Sequence, residues 1–236
     1  MKQKREFSGR LPVVKAVKKK AKKSKTYTRV FRPERAAEAI GELKPDITVH
    51  GLTDGHYALI DVAQHILDQT QAKHVTLSTW TATGIDVRRL YALKKKFDLN
   101  IEMLIDRSYI TREPAYCEVM RELFGDANLR TWNCHAKFAI FRGGAFDVLL
   151  TTSMNLAQNK RIENYQIECD PRLVTQYREM VERIFEMQPD SRGFEISAEG
   201  RRNTERLVRE IMGGDPGNNA TGVPEISSTE VPVAEL

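Results

Sequence analysis

The 236-residue sequence predicts an α/β domain built on a largely parallel sheet. Two observations carry this expectation. Segments with apolar residues at helical spacing alternate with short β-branched segments through the first half. With 41% hydrophobic and 29% charged residues, the chain suits a soluble globular protein with one sizeable core. An apolar hairpin past the middle adds an antiparallel piece.

The elements follow in order. "PERAAEAIGEL" (33–43) has Pro33 where a first helical turn accepts it and Gly41 near its end. "DITVH" (46–50) is a short strand. Between 55 and 71, Leu59, Val62, Ile66 and Leu67 recur at helical spacing. "HVTLSTW" (74–80) reads as a strand, "DVRRLYALKKKF" (86–97) as an amphipathic helix and "NIEMLID" (100–106) as the next strand. "PAYCEVMRELFG" (114–125) is a helix closed by Gly125, and "NLRTWN" (128–133) is a strand. A hairpin over 134–152 turns at Gly143-Gly144. "NYQIEC" (164–169) is a strand, and "PRLVTQYREMVERIFEMQ" (171–188) is a helix opened by Pro171. A short helix is expected over 199–212. The chain therefore divides into a disordered basic arm (1–30), one domain (31–212) and a disordered acidic tail (213–236) rich in Gly, Pro, Ser and Asn.

The net charge of +5 conceals an asymmetry. Residues 1–30 hold twelve Lys or Arg against Glu6 alone, which leaves the remainder at −6. Lys18, Lys19, Lys20, Lys22, Lys23 and Lys25 are the core of this arm. Clustered lysines gain counterion-release energy on nucleic acid, and an anionic membrane surface would attract the same arm. No run of about 18 apolar residues occurs, so integral membrane association is not expected. No apolar stretch follows the basic N-terminus, which argues against a secretory signal. Cys117, Cys134 and Cys169 are odd in number and lack Cys-x-x-Cys spacing. Neither disulfides nor a metal site is expected, and a reducing, cytoplasmic setting fits.

The chemistry gathers in the hairpin "NCHAKFAIFRGGAFDVLLTTSMNL" (133–156). Residues two apart on a strand share a face, so His135 projects with Lys137 and Ser153 with Asn155. Burying a lysine is costly unless a partner or an anionic ligand compensates it. Four polar groups at one hairpin end therefore read as an anion-binding site.

His135-x-Lys137, then Thr152-Ser153-Met154-Asn155, then Glu163 in "RIENYQI" resembles the motif of the phospholipase D superfamily. The resemblance spans roughly 45–187, with a similar order of elements upstream. It implies a phospholipase D-like mixed β-sheet flanked by helices on both faces, carrying a single motif copy. It also implies a metal-independent phosphodiesterase, foremost a nuclease, that needs no cofactor. In such a site His135 attacks phosphorus to form a phosphohistidine, and Glu163 holds the other ring nitrogen. Lys137 and Asn155 donate to the nonbridging oxygens, and Ser153 orients the group. An imidazole titrates near pH 6.5, which leaves a useful neutral fraction at pH 7.

The leaving oxygen requires a second histidine. None of His50, His56, His65 and His74 is followed two residues later by Lys. Single-motif relatives pair two chains, so the resemblance implies a homodimer with a shared site. His56 is the in-chain rival. Trp80 and Tyr57 are candidates for stacking on bases, with packing as their alternative role. The sequence departs from the motif where Arg142 replaces its Asp and Thr152 its Gly, and where the His-to-Ser interval is stretched. Asp147, across the turn, is a candidate substitute for the Asp. The basic arm favours nucleic acid, DNA ahead of RNA, over lipid. A lipid phosphodiesterase and a catalytically degraded nucleic-acid-binding protein are the alternatives.

Overall fold

The structure is a computed structural model that describes residues 25–29, 35–156, 160–188, 206 and 208–212. Among the described residues, eight strands form one mixed sheet: β1 (Lys25–Arg29), β2 (Ile47–Thr53), β3 (His74–Thr79), β4 (Asn100–Asp106), β5 (Leu129–Trp132), β6 (Lys137–Arg142), β7 (Val148–Thr152) and β8 (Glu163–Glu168). Side by side they run β1-β2-β8-β7-β6-β3-β4-β5. The β3-β4-β5 block is parallel, as its helical crossovers require. However, β6, β7 and β8 fill the middle of the sheet through antiparallel pairings to one another and to β3 and β2. The sheet is thus mixed rather than largely parallel.

Among the described residues, helices α1 (Ala36–Ile40), α2 (Leu59–Thr70), α3 (Gly84–Phe97), α4 (Arg107–Arg112), α5 (Pro114–Phe124) and α6 (Pro171–Met187) cover both faces. Strand alternation sorts the core. Val75, Leu77, Ile101, Met103, Phe141 and Leu150 face the cluster under α1, α2, α3 and α5. Leu104, Phe138, Ile140 and Leu149 face the other way, onto Val174, Val181 and Ile184 of α6. Pro171 opens α6, and Asp170 caps it by accepting from the Arg172 N–H at 3.0 Å.

Three local expectations need correcting. The charge pattern puts the end of the arm at residue 30, yet Lys25–Arg29 forms β1, parallel to β2. Its pairing with β2 along the whole segment supplies the stability that a short strand lacks by itself. Lys25 is therefore the first residue of a strand, while Lys18, Lys19, Lys20, Lys22 and Lys23 lie outside the described residues. The first helix is only Ala36–Ile40, ended by Gly41 at φ +71°. Finally, "RSYITR" forms α4, capped by Asp106, whose side chain accepts from the Ser108 N–H at 2.9 Å. The acidic tail, 213–236, lies outside the described residues. Within the expected 199–212 helix, residues 206 and 208–212 are helical, and Val208 and Ile211 join the core.

Candidate active site

The register of the sheet brings six strand ends to one edge. Antiparallel pairing sets Lys137, first in β6, opposite Thr152, last in β7, and sets Glu163, first in β8, opposite Thr53, last in β2. The carboxyl ends of β3 and β4 finish at the same edge. Ligand sites in α/β sheets gather where parallel strands end and loops diverge.

The motif residues sit mostly in those loops. His135 precedes β6 and Ser153 and Asn155 follow β7, so strand periodicity does not orient them as the sequence implied. Three tethers do so instead. The Cys134 N–H donates to Asp106 Oδ2 at 3.2 Å, and the Ser78 hydroxyl donates to the Ala136 carbonyl at 2.8 Å. The Leu156 N–H donates to Thr79 Oγ1 at 3.1 Å. Each ties a motif loop to the end of β3 or β4.

His135 and Lys137 meet directly. The Lys137 Nζ lies 3.2 Å from Nδ1 and from Nε2 of His135 and donates to its carbonyl oxygen at 2.9 Å. The lysine side chain is buried, whereas the imidazole is exposed. Burial pulls the Lys137 pKa down, and the charge of Glu163 opposes that shift. Lys137 is thus a desolvated cation without a contacting carboxylate among the described residues, the condition under which an anionic ligand is most welcome.

Ser153 and Glu163 form the second pair. The Ser153 hydroxyl donates to Glu163 Oε2 and accepts from the Asn164 N–H at 2.9 Å. Among the described residues no hydrogen bond joins Glu163 to His135, contrary to the role that the resemblance implies. The imidazole instead leans over Lys137 and stands edge-on to Trp80, with ring centroids 5.8 Å apart. Asn155 Oδ1 is buried without a hydrogen-bond partner. Thr152, where the motif has Gly, adds two bonds: its hydroxyl donates to the Asn164 carbonyl at 2.6 Å and accepts from the Met154 N–H at 3.0 Å. The departure therefore stiffens the Ser-x-Asn turn.

Arg142 and Asp147 are remote from this edge. Arg142 ends β6 opposite His74, the first residue of β3. Asp147 accepts from the Gly143 N–H at 3.2 Å, so it closes the hairpin turn and substitutes for nothing in the site. His56 follows β2 and contacts Asp54 at 3.1 Å. Tyr57 is buried, with its hydroxyl donating to that of Tyr165 at 3.1 Å, which excludes it as a stacking platform. Sequence reasoning missed Arg112, whose guanidinium lies 4.0 Å from the Trp80 ring centroid. No pattern marks it, because α4 itself was unanticipated. Among the described residues no group of three His, Cys, Asp or Glu is placed to hold a metal ion, and no helix is long and apolar enough to cross a membrane.

No protein-family model and no curated protein matches the chain. Solved structures with a similar arrangement include Nuc from Salmonella typhimurium, a phospholipase D family member, at 19% identity and a TM-score of 0.44 over 61% of this chain and 97% of Nuc. TrmBL2, an archaeal chromatin protein described with a novel mode of DNA binding, is 15% identical at a TM-score of 0.43 over 66% of this chain and 57% of its own. NucT from Helicobacter pylori is 12% identical at a TM-score of 0.39, over 59% of this chain and 97% of NucT. The first of these belongs to the family that the motif resembles.

Proposed function

We propose that the chain is a phosphodiesterase of phospholipase D type that cleaves nucleic acid without a metal ion, using His135 as nucleophile. The observation that carries this reading is the buried Lys137 ammonium against the exposed His135 ring, at the sheet edge where Ser153 and Glu163 also meet.

An imidazole nitrogen of His135 attacks phosphorus, the P–N bond forms, and the P–O bond to the leaving strand breaks. Lys137 and the amide of Asn155 donate to the nonbridging oxygens as charge grows there, an effect worth about 3–4 kcal/mol of barrier per preorganised donor. Glu163, held by Ser153, sets the local field and reaches the imidazolium once the ring swings off Lys137 to attack. A second histidine protonates the leaving oxygen, and then takes a proton from the water that splits the P–N bond. His135 of the partner subunit fills this role in a twofold homodimer. In support, the sequence holds one His-x-Lys, and the exposed imidazole leaves room for a second copy.

Lys18, Lys19, Lys20, Lys22 and Lys23 favour a polyphosphate strand as the substrate. If about eight charges of the arm meet duplex phosphates, log affinity falls with log salt at a slope near −7. The deciding experiment incubates the chain with single- and double-stranded DNA, RNA and a phosphodiester lipid in EDTA, beside His135→Asn. Nucleic-acid cleavage that survives EDTA and disappears in the variant is the expected result. Equal cleavage by both proteins would remove His135 as nucleophile, and cleavage of the lipid alone would replace the substrate class. Solution mass accompanies the assay, because an active monomer contradicts the shared site.

A further inference from the structure

We infer that Arg112, stacked on Trp80, forms a subsite for the phosphate next to the scissile one, so that the preferred substrate carries at least two consecutive phosphodiesters. The inference rests on the reading of His135 as the phosphorus-binding residue and adds a second anion position beside it.

The geometry begins with Trp80, which follows the last residue of β3 and is only half-buried. Its ring is T-shaped to that of His135 with centroids 5.8 Å apart, and the Arg112 guanidinium carbon lies 4.0 Å from the Trp80 centroid. Together these distances cap the separation of guanidinium and imidazole centre at about 10 Å, within reach of the next phosphate along a strand. Arg112 is exposed, and its contacts among the described residues are the Trp80 ring, the Trp80 carbonyl and the Tyr109 ring. Stacking engages the face of a guanidinium and leaves its in-plane N–H groups free. One of them, on Nη2, donates to the Trp80 carbonyl at 2.9 Å; the others are available to a phosphate.

The pair is also preorganised. The buried Tyr109 of α4 donates its hydroxyl to the Ala82 carbonyl at 2.9 Å, pinning the helix to the segment after Trp80. Asp106, at the start of α4, accepts from both the Ser108 and Cys134 N–H groups, linking that helix to the loop that carries His135. Arg112 and the nucleophile are therefore held in one frame, so little ordering cost remains for binding.

The test uses the full chain in a His135→Asn background, which prevents turnover, and titrates a dinucleotide with one phosphodiester against a trinucleotide with two. The trinucleotide should bind about tenfold more tightly, as one charge-assisted contact allows. Arg112→Gln should bring that ratio close to one, and Arg112→Lys should retain part of it by keeping the charge. Trp80→Ala should lower the ratio and Trp80→Phe should restore part of it. A ratio unaffected by Arg112→Gln, a trinucleotide that binds no better than the dinucleotide, or no binding of either ligand would overturn the subsite. Failure of His135 as nucleophile shows separately, as cleavage by His135→Asn in EDTA.

Discussion

Lys137 and Arg142 are the first and last residues of the same strand, β6. Five steps along a strand span about 16 Å, so the motif position that departs most from the phospholipase D pattern lies across the sheet from the candidate chemistry. Arg142 faces the start of β3, and its carbonyl accepts from the Lys73 N–H at 2.8 Å. Arg142→Gln should leave turnover within about twofold of the parent, with a stability change of about 0.5 kcal/mol or less. Steady-state kinetics and thermal melting check both.

Lys137 carries its ammonium at a buried position of the candidate site, and burial lowers its pKa. Lys137→Met keeps the aliphatic packing and removes the desolvated charge, so it should abolish activity by at least about 100-fold and raise stability by about 1 kcal/mol. Burial lowers the folded-state pKa, so the unfolded chain binds the proton more tightly. Parent stability therefore rises with pH across the window between the depressed folded value and the ordinary lysine value of about 10.4. The advantage of the variant should be full below that window and shrink through it, as read by denaturant unfolding at graded pH.

Ser153 and Glu163 act as a unit, since one hydroxyl joins the carboxylate to the Asn164 backbone. Ser153→Ala and Glu163→Gln should each lower kcat, and the double variant should lose less than the two losses combined. Additive losses would show that the two groups act independently.

The three cysteines should respond unequally to a thiol reagent. Burial pushes the Cys117 thiol up to about 12 and the Cys169 thiol up to about 11, leaving both protonated and shielded. Cys134 is half-buried and adjoins His135. The native chain should show one fast equivalent and the unfolded chain three, and modification of Cys134 should stop cleavage by crowding His135.

Gly144 tests the far edge of the sheet. A Cβ there would fall 2.1 Å from the Thr70 carbonyl oxygen, because the hairpin turn lies directly on the end of α2. The Ala145 N–H donates to that same oxygen at 2.8 Å. Gly144→Ala should cost about 1–3 kcal/mol as the turn is displaced, while kcat of the folded fraction stays at the parent value.

By itself the sequence determined the α/β class, the position of nearly every long element and the set of motif residues. Apolar periodicity and residue order are local properties, so alternation of helices and strands and the succession His-x-Lys, Ser-x-Asn, Glu were legible without coordinates. It did not show that Lys25–Arg29 is a strand, since an edge strand gains its stability from the neighbour it pairs with. It did not show that β6, β7 and β8 enter the middle of the sheet, because strand order depends on long-range hydrogen bonding. Only the tertiary structure turned Glu163 toward Ser153 and set Arg112 over Trp80. Each of these is a contact between residues distant in the chain. Register and packing decide such contacts; spacing along the chain does not.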